Sequence, residues 1–171
     1  MNEHRMPRRI RITGALTAIV TVLLAAPQLH ADSADDPVAH ARALEAAAET
    51  LEPLAPEWDR VAALYREAAD LRPAHDPIKV RNLRRSAQIR YLTGDRSAAM
   101  RDAREAGELA RRQGDVPEAA HAFLDAALIA SELGRAREAH RFMEEARLLA
   151  RSPLLQDTHR AGIQERIHEA A

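Results

Sequence analysis

The chain has 171 residues, 46% of them hydrophobic but only 3% aromatic, no cysteine, and a formal net charge of −1. Without cysteine there is no disulfide framework, no thiolate metal site and no lipid-attachment residue. A charge this near neutral also lacks the basic footprint that nucleic-acid binding needs, so nucleic acid is excluded as the expected partner.

In chain order, positions 1 to 12 hold Arg5, Arg8, Arg9 and Arg11 against Glu3 alone, and an apolar stretch follows from Gly14 to Ala26, then Pro27 and Ala31. A basic start, a short apolar stretch and a small residue read as a secretory signal peptide over 1–31, cut after Ala31. The pair Arg8-Arg9 raises a twin-arginine route, but its sequel is not apolar-basic in the expected way, and the general secretory route is favoured. The apolar stretch falls short of the roughly 20 residues a bilayer requires. No stable membrane span is therefore expected after cleavage, and an uncleaved anchor is the alternative. The expected mature chain is periplasmic or secreted. It loses four arginines and Glu3 with the leader, which makes it mildly acidic, and its length fits one domain behind a short linker at 32–36.

Prolines then mark off seven helices, and nothing reads as a strand. Asp36-Pro37, Asp76-Pro77 and Ser152-Pro153 each pair an N-cap with proline at the first helical position. Helices are predicted over 37–52, 57–72, 77–93, 95–112, 116–133, 135–151 and 154–169. The first carries Ala41, Leu44, Ala48 and Leu51 on one face, and the second carries Val61, Tyr65, Ala68 and Leu71. In the third, Tyr91 continues the stripe of Val80, Leu83 and Ala87, which by pattern makes it a core residue. The fifth is apolar almost all round from Ala122 to Ala130 except at Asp125, as suits a central helix. The last has Leu155, Ile163 and Ile167 on one side and polar residues elsewhere, as suits a cap.

Within this series a glycine recurs at even spacing, at Gly94, Gly114 and Gly134. Relative to each glycine, the same offsets hold Ala99, Ala103, Ala106 and Ala110; Ala119, Phe123, Ala126 and Ala130; and Ala139, Met143, Ala146 and Ala150. Those offsets step by four, three and four, which puts each set on one stripe of a helix. Small residues there admit a neighbouring helix closely, and each glycine supplies the positive φ that ends one helix. Asp95 and Asp115 stand at N-cap positions, and Asp115 with Glu118 has capping-box spacing. Each glycine interval is one helix, so a hairpin of two helices spans two intervals.

Glycine, alanine five residues on, a large apolar residue four later and alanine three after that resembles the turn and second helix of a tetratricopeptide repeat. Gly134, Ala139, Met143, Ala146 and Pro153 carry the resemblance, as do Val61, Tyr65, Ala68 and Pro73 in EWDRVAALYREAADLRP. It implies three repeats, near 37–73, 77–112 and 117–151, in a short right-handed α-solenoid over residues 37–153 closed by a capping helix at 154–171. The spacing departs from the pattern, because the equivalent positions Val61, Ala99 and Ala139 stand farther apart than a standard unit of about 34 residues allows. Arg90 also stands where an aromatic residue is usual. HEAT-like units or a plain bundle are the alternatives.

The resemblance further implies a concave groove that binds a peptide or partner helix, lined by Arg81, Arg84, Gln88 and Tyr91 of the second repeat and by His121, Leu124, Leu128 and Ser131 of the third. The helix bearing the first set is strongly basic, with Lys79, Arg81, Arg84, Arg85 and Arg90 in KVRNLRRSAQIR. Guanidinium groups on such a face could take the carboxylates of an acidic partner. Alternatively, they are balanced by acidic residues on the next helix. Only Asn2 and Asn82 exist, so the asparagines of chaperone-tail-binding members of the family are unmatched.

Residues suited to chemistry are sparse. His40, His75, His121, His140, His159 and His168 show no zinc-helix spacing, and Ser33, Ser86, Ser97, Ser131 and Ser152 lack a nucleophile-elbow context. No catalytic residue, cofactor or metal is expected. The readings are therefore a non-catalytic protein-binding scaffold, a self-associating homo-oligomer, and, last, a helical hydrolase or metalloprotein.

Overall fold

Aspartate begins four of the seven helices found among the described residues, which in this computed structural model are 36–169. The expected signal peptide at 1–31 and all of the linker but Asp36 lie outside them. The helices are α1 (Pro37–Leu51), α2 (Trp58–Leu71), α3 (Pro77–Thr93), α4 (Arg96–Gln113), α5 (Val116–Glu132), α6 (Ala136–Ala150) and α7 (Asp157–Glu169), with a 3-10 turn at Ala55–Glu57 before α2. Asp36 accepts from the amides of Val38 and Ala39, Asp76 from Ile78, Asp95 from Ala98 and Asp115 from Glu118. Each carboxylate satisfies an amide that the first helical turn leaves without a partner. The capping box at Asp115 is only half closed, because the Glu118 side chain turns away to Arg84.

The first six helices start and end within one residue of their predicted bounds, but α7 begins at Asp157 and not at 154. Ser152 caps no helix. Its hydroxyl accepts from the Leu154 amide at 3.2 Å, and Leu155 turns into the core at 3% exposure. Arg160 then reaches back to the carbonyls of Ser152 and Leu155. Burying Leu155 thus holds a turn where the Ser-Pro pair alone suggests a helix start.

Consecutive helices pack against each other from α1 to α6, and α5 also touches α3 and α7, the central position its composition predicts. Gly94, Gly114 and Gly134 have φ of 93°, 79° and 70°, the left-handed turn conformation that costs glycine nothing. The alanine stripes of α4 and α5 are fully buried, whereas Ala139 and Met143 of α6 are only partly covered. One core runs from the end of α2 to α7, and two smaller clusters hold α1 on α2.

Two buried polar groups lie between the helices. Arg72 grips Glu45 through Nε and Nη2 at 2.6 and 2.7 Å and Asp76 through Nη1 at 2.6 Å, while Asn82 donates to Glu45 at 2.5 Å. Asp102 receives Ser86 at 2.7 Å and Arg66 at 3.2 Å, and Arg66 also binds Glu105. The first group ties α1 to the α2–α3 turn, and the second ties α2, α3 and α4 together.

Candidate functional site

The basic helix α3 lies between two acidic neighbours. On α1 stand Glu49 and, just past its end, Glu52; on α5 stand Glu118, Asp125 and Glu132 spaced seven apart, which brings them to one face. Opposite charges meet across the helix boundaries. Arg84 binds Glu118 at 2.5 Å and Asp125 at 3.4 Å, and Arg85 pairs with Glu52. From the other side, Arg166 of α7 binds Asp125 at 2.6 Å and lies 3.0 Å from Nδ1 of His121. The face thus alternates acid, base, acid, base from α1 through α3 and α5 to α7.

Two adjoining cavities open on this face. The larger, about 430 Å³, is polar, with Glu49 and Glu52 on one side, Arg81, Arg84 and Arg85 on the other, and Tyr65 and Asn82 among its lining. The smaller, about 270 Å³, has an apolar lining of Ala87, Tyr91, Leu128 and Ile129 rimmed by Asp125, Glu132 and Arg166. Gln88 borders both. Tyr91 is 36% and Leu128 37% exposed, although both sit among buried neighbours. The Tyr91 hydroxyl donates to Glu132 at 2.6 Å, Arg96 binds Glu132 at 2.8 Å, and the Arg96 guanidinium lies 5.7 Å from the ring centroid. These contacts hold the ring at the mouth of the slot.

Electrostatics follow from these neighbours. Burial and the positive charges of Arg84 and Arg166 push His121 below the usual histidine range, against the weaker pull of Asp125 and Glu118. Burial works against the charge on Arg84, but its bonds to Glu118 and Asp125 outweigh it and raise its affinity for the proton. The hydrogen bond to Glu132 raises the Tyr91 phenol above its ordinary value, and the same bond, with that from Arg96, lowers Glu132.

Of the eight residues expected in a groove, Arg81, Arg84 and Gln88 line the larger cavity, and Gln88, Tyr91 and Leu128 the smaller. His121 joins them through Arg166. Leu124 does not: it is fully buried against the core, and neither it nor Ser131 lines either of these two cavities. The stripe that α5 presents is 118, 121, 125, 128 and 132, so the expected set stands one position off at two places. Tyr91 is not the core residue its stripe suggests, because the slot beside it leaves it uncovered. Arg84 is already engaged by two carboxylates, while Arg81 is exposed and forms no ion pair among the described residues. The acidic signal at 118, 125 and 132 is present in the sequence as a seven-residue spacing. Arg166 is not readable there, since nothing local says which helix α7 meets.

Among the described residues no group of three histidine, aspartate or glutamate side chains is disposed to hold a metal, and no helix is long and apolar enough to cross a membrane. Compared with protein-family models and with curated proteins, the chain gives no match.

Proposed function

We propose that the chain is a non-catalytic protein-recognition module, a short tetratricopeptide-like solenoid whose odd-numbered helices line a concave groove for a partner's extended segment or helix. The observation that carries this reading is the apolar slot beside Tyr91 and Leu128. Two large side chains are left a third exposed there, beside side chains largely engaged in ion pairs, and protein-binding sites favour such anchored pockets. An apolar side chain of the partner enters the slot, and an acidic residue meets Arg81, which is exposed in the larger cavity and forms no ion pair among the described residues. Arg84 and Arg85 supply no binding charge, because Glu118, Asp125 and Glu52 already neutralise them. If residues 1–31 direct export as their pattern suggests, the partner is an envelope or secreted protein.

Self-association is the second reading, favoured by Leu148 and Leu154, which are 66% and 77% exposed near the C-terminal end of the helix series. The test is crosslinking of the tagged chain in its native envelope, analysed by mass spectrometry, beside an Arg81→Glu/Leu128→Ser variant. A partner lost from the variant supports the groove. Crosslinks only between copies support self-association, and a partner retained by a folded variant removes the groove.

A further inference from the structure

The C-terminal helix is held to the rest of the chain by few groups. Ile163 alone is buried in α7, with Ile167 partly covered and Leu155 anchoring the turn before it. Arg160 ties its first turns to the carbonyls of Ser152 and Leu155, and its polar attachment to α5 is Arg166, which donates to Asp125 Oδ1 at 2.6 Å and to His121 Nδ1 at 3.0 Å. Arginine has donors only, so the second contact fixes the state of the imidazole: Nδ1 carries a lone pair, and the proton of the neutral ring is on Nε2. A second proton on His121 would sit on the atom that Arg166 now uses.

We propose that His121 and Arg166 form a pH-sensitive latch, and that protonation of His121 releases α7 from α5 and opens the slot at Tyr91 and Leu128. Four charged groups face the imidazole. Arg84 approaches from α3 and Arg166 from α7, while Glu118 and Asp125 stand on α5 itself. The two carboxylates are occupied, Glu118 by Arg84 and Asp125 by both arginines. A new positive charge on His121 therefore meets two guanidinium groups at the loss of a hydrogen bond. Of the two, Arg84 is the more enclosed, at 18% side-chain exposure against 35% for Arg166, and only Arg166 rides on a lightly attached helix. The strain is relieved by moving Arg166. Because Arg166 also rims the slot, its departure widens the slot.

That the latch regulates binding rests on the groove reading; the latch itself does not, since it is tested in the protein alone. Hydrogen–deuterium exchange of α7 is compared with that of α4 between pH 8 and pH 5, corrected for intrinsic exchange, in the wild type and in His121→Gln. We expect a severalfold fall in α7 protection relative to α4 as the wild-type pH drops, with its midpoint at the His121 titration followed by NMR and below that of an ordinary histidine. His121→Gln, which keeps an acceptor for Arg166 without a titrating proton, should hold α7 at both ends. Unchanged α7 protection in the wild type overturns the latch. So does a midpoint set by carboxylates or by His159 and His168, or an equal loss in the variant. Should the variant already release α7 at pH 8, the wild-type midpoint alone decides.

Discussion

Arg72 and Glu45 form a two-point ion pair between the end of α2 and the middle of α1, with both residues less than a tenth exposed. Asn82 and Asp76 complete its hydrogen bonds. Burial alone would raise the Glu45 carboxyl, but the bonds from Arg72 and Asn82 and the charges of Arg72 and Arg81 hold it below the ordinary value of 4.5. Asp76 is lowered as well: burial opposes its charge, and the Ile78 amide and Arg72 overcome it.

A pH prediction follows from the sign of those shifts. Carboxylates held low in the folded chain contribute stability above their unfolded values, and that stability is lost as pH falls through the folded values. The contribution of these two carboxylates should therefore be flat at neutral pH and drop below about pH 4.5, while His121, also lowered in the fold, adds a separate loss that begins below about pH 6.5. Arg72→Leu leaves Glu45 buried without its cation and should cost about 3–5 kcal/mol at pH 7. In that variant burial prevails and the Glu45 carboxyl rises, so the deficit shrinks on acidification from pH 7 to 5. Urea denaturation at the two values reads both effects, and a deficit independent of pH would refute the assignment.

Arg81 and Arg84 lie one turn apart on the same helix but do different work. Arg84→Ala leaves Glu118 and Asp125 without their half-buried cation and should lose about 1–3 kcal/mol. Arg81→Ala removes an exposed side chain and should stay within about 0.5 kcal/mol of wild type. Thermal unfolding of the two variants side by side distinguishes a structural arginine from one available to a partner.

The all-helical order is readable in the sequence because its signals are local. Aspartates, prolines and glycines punctuate the chain, and the alanine stripes repeat with helical period. Polar contacts between helices are much less readable. Glu45 sits beside Leu44 on the apolar face of α1, a charge in a core stripe that forces a buried partner, but nothing nearby names Arg72 or Asn82. Of the residues expected on α5, Leu124 faces the core while its neighbour Asp125 lines the slot, and only the angle at which α5 packs decides which of the two turns inward. Tyr91 continues an apolar stripe, so its exposure depends on how far α5 and α7 stand from α3.

Gly107 is helical, yet a side chain there would collide. A Cβ on it would lie 3.0 Å from Cδ1 and Cε1 of Phe123. That ring cannot easily yield, being 2% exposed, stacked on Phe142 at 6.3 Å and covered by Arg111 at 5.8 Å. Replacing glycine by alanine inside a helix ordinarily gains about 1 kcal/mol, whereas overpacking a core costs about 1–3 kcal/mol. On that balance Gly107→Ala should lose about 1 kcal/mol net in urea denaturation. A gain would mean that α4 and α5 can move apart.

The slot should separate stability from binding. Leu128 is already over a third exposed, so Leu128→Ser gives up only part of a leucine's burial and should cost about 1 kcal/mol or less. Tyr91→Phe keeps the ring and removes the bond to Glu132, which retains Arg96, so its cost should be about 0.5–1 kcal/mol. If the slot is where a partner anchors, the two variants diverge in binding. Leu128→Ser reduces the size of the apolar contact and should cut crosslinked partner severalfold, while Tyr91→Phe leaves that contact in place and should retain most of it. Equal losses in both would shift the contact to the Tyr91 hydroxyl and Glu132. No loss in either, with both variants folded, would take the anchor out of the slot altogether and leave the polar cavity around Arg81 as the remaining surface on this face.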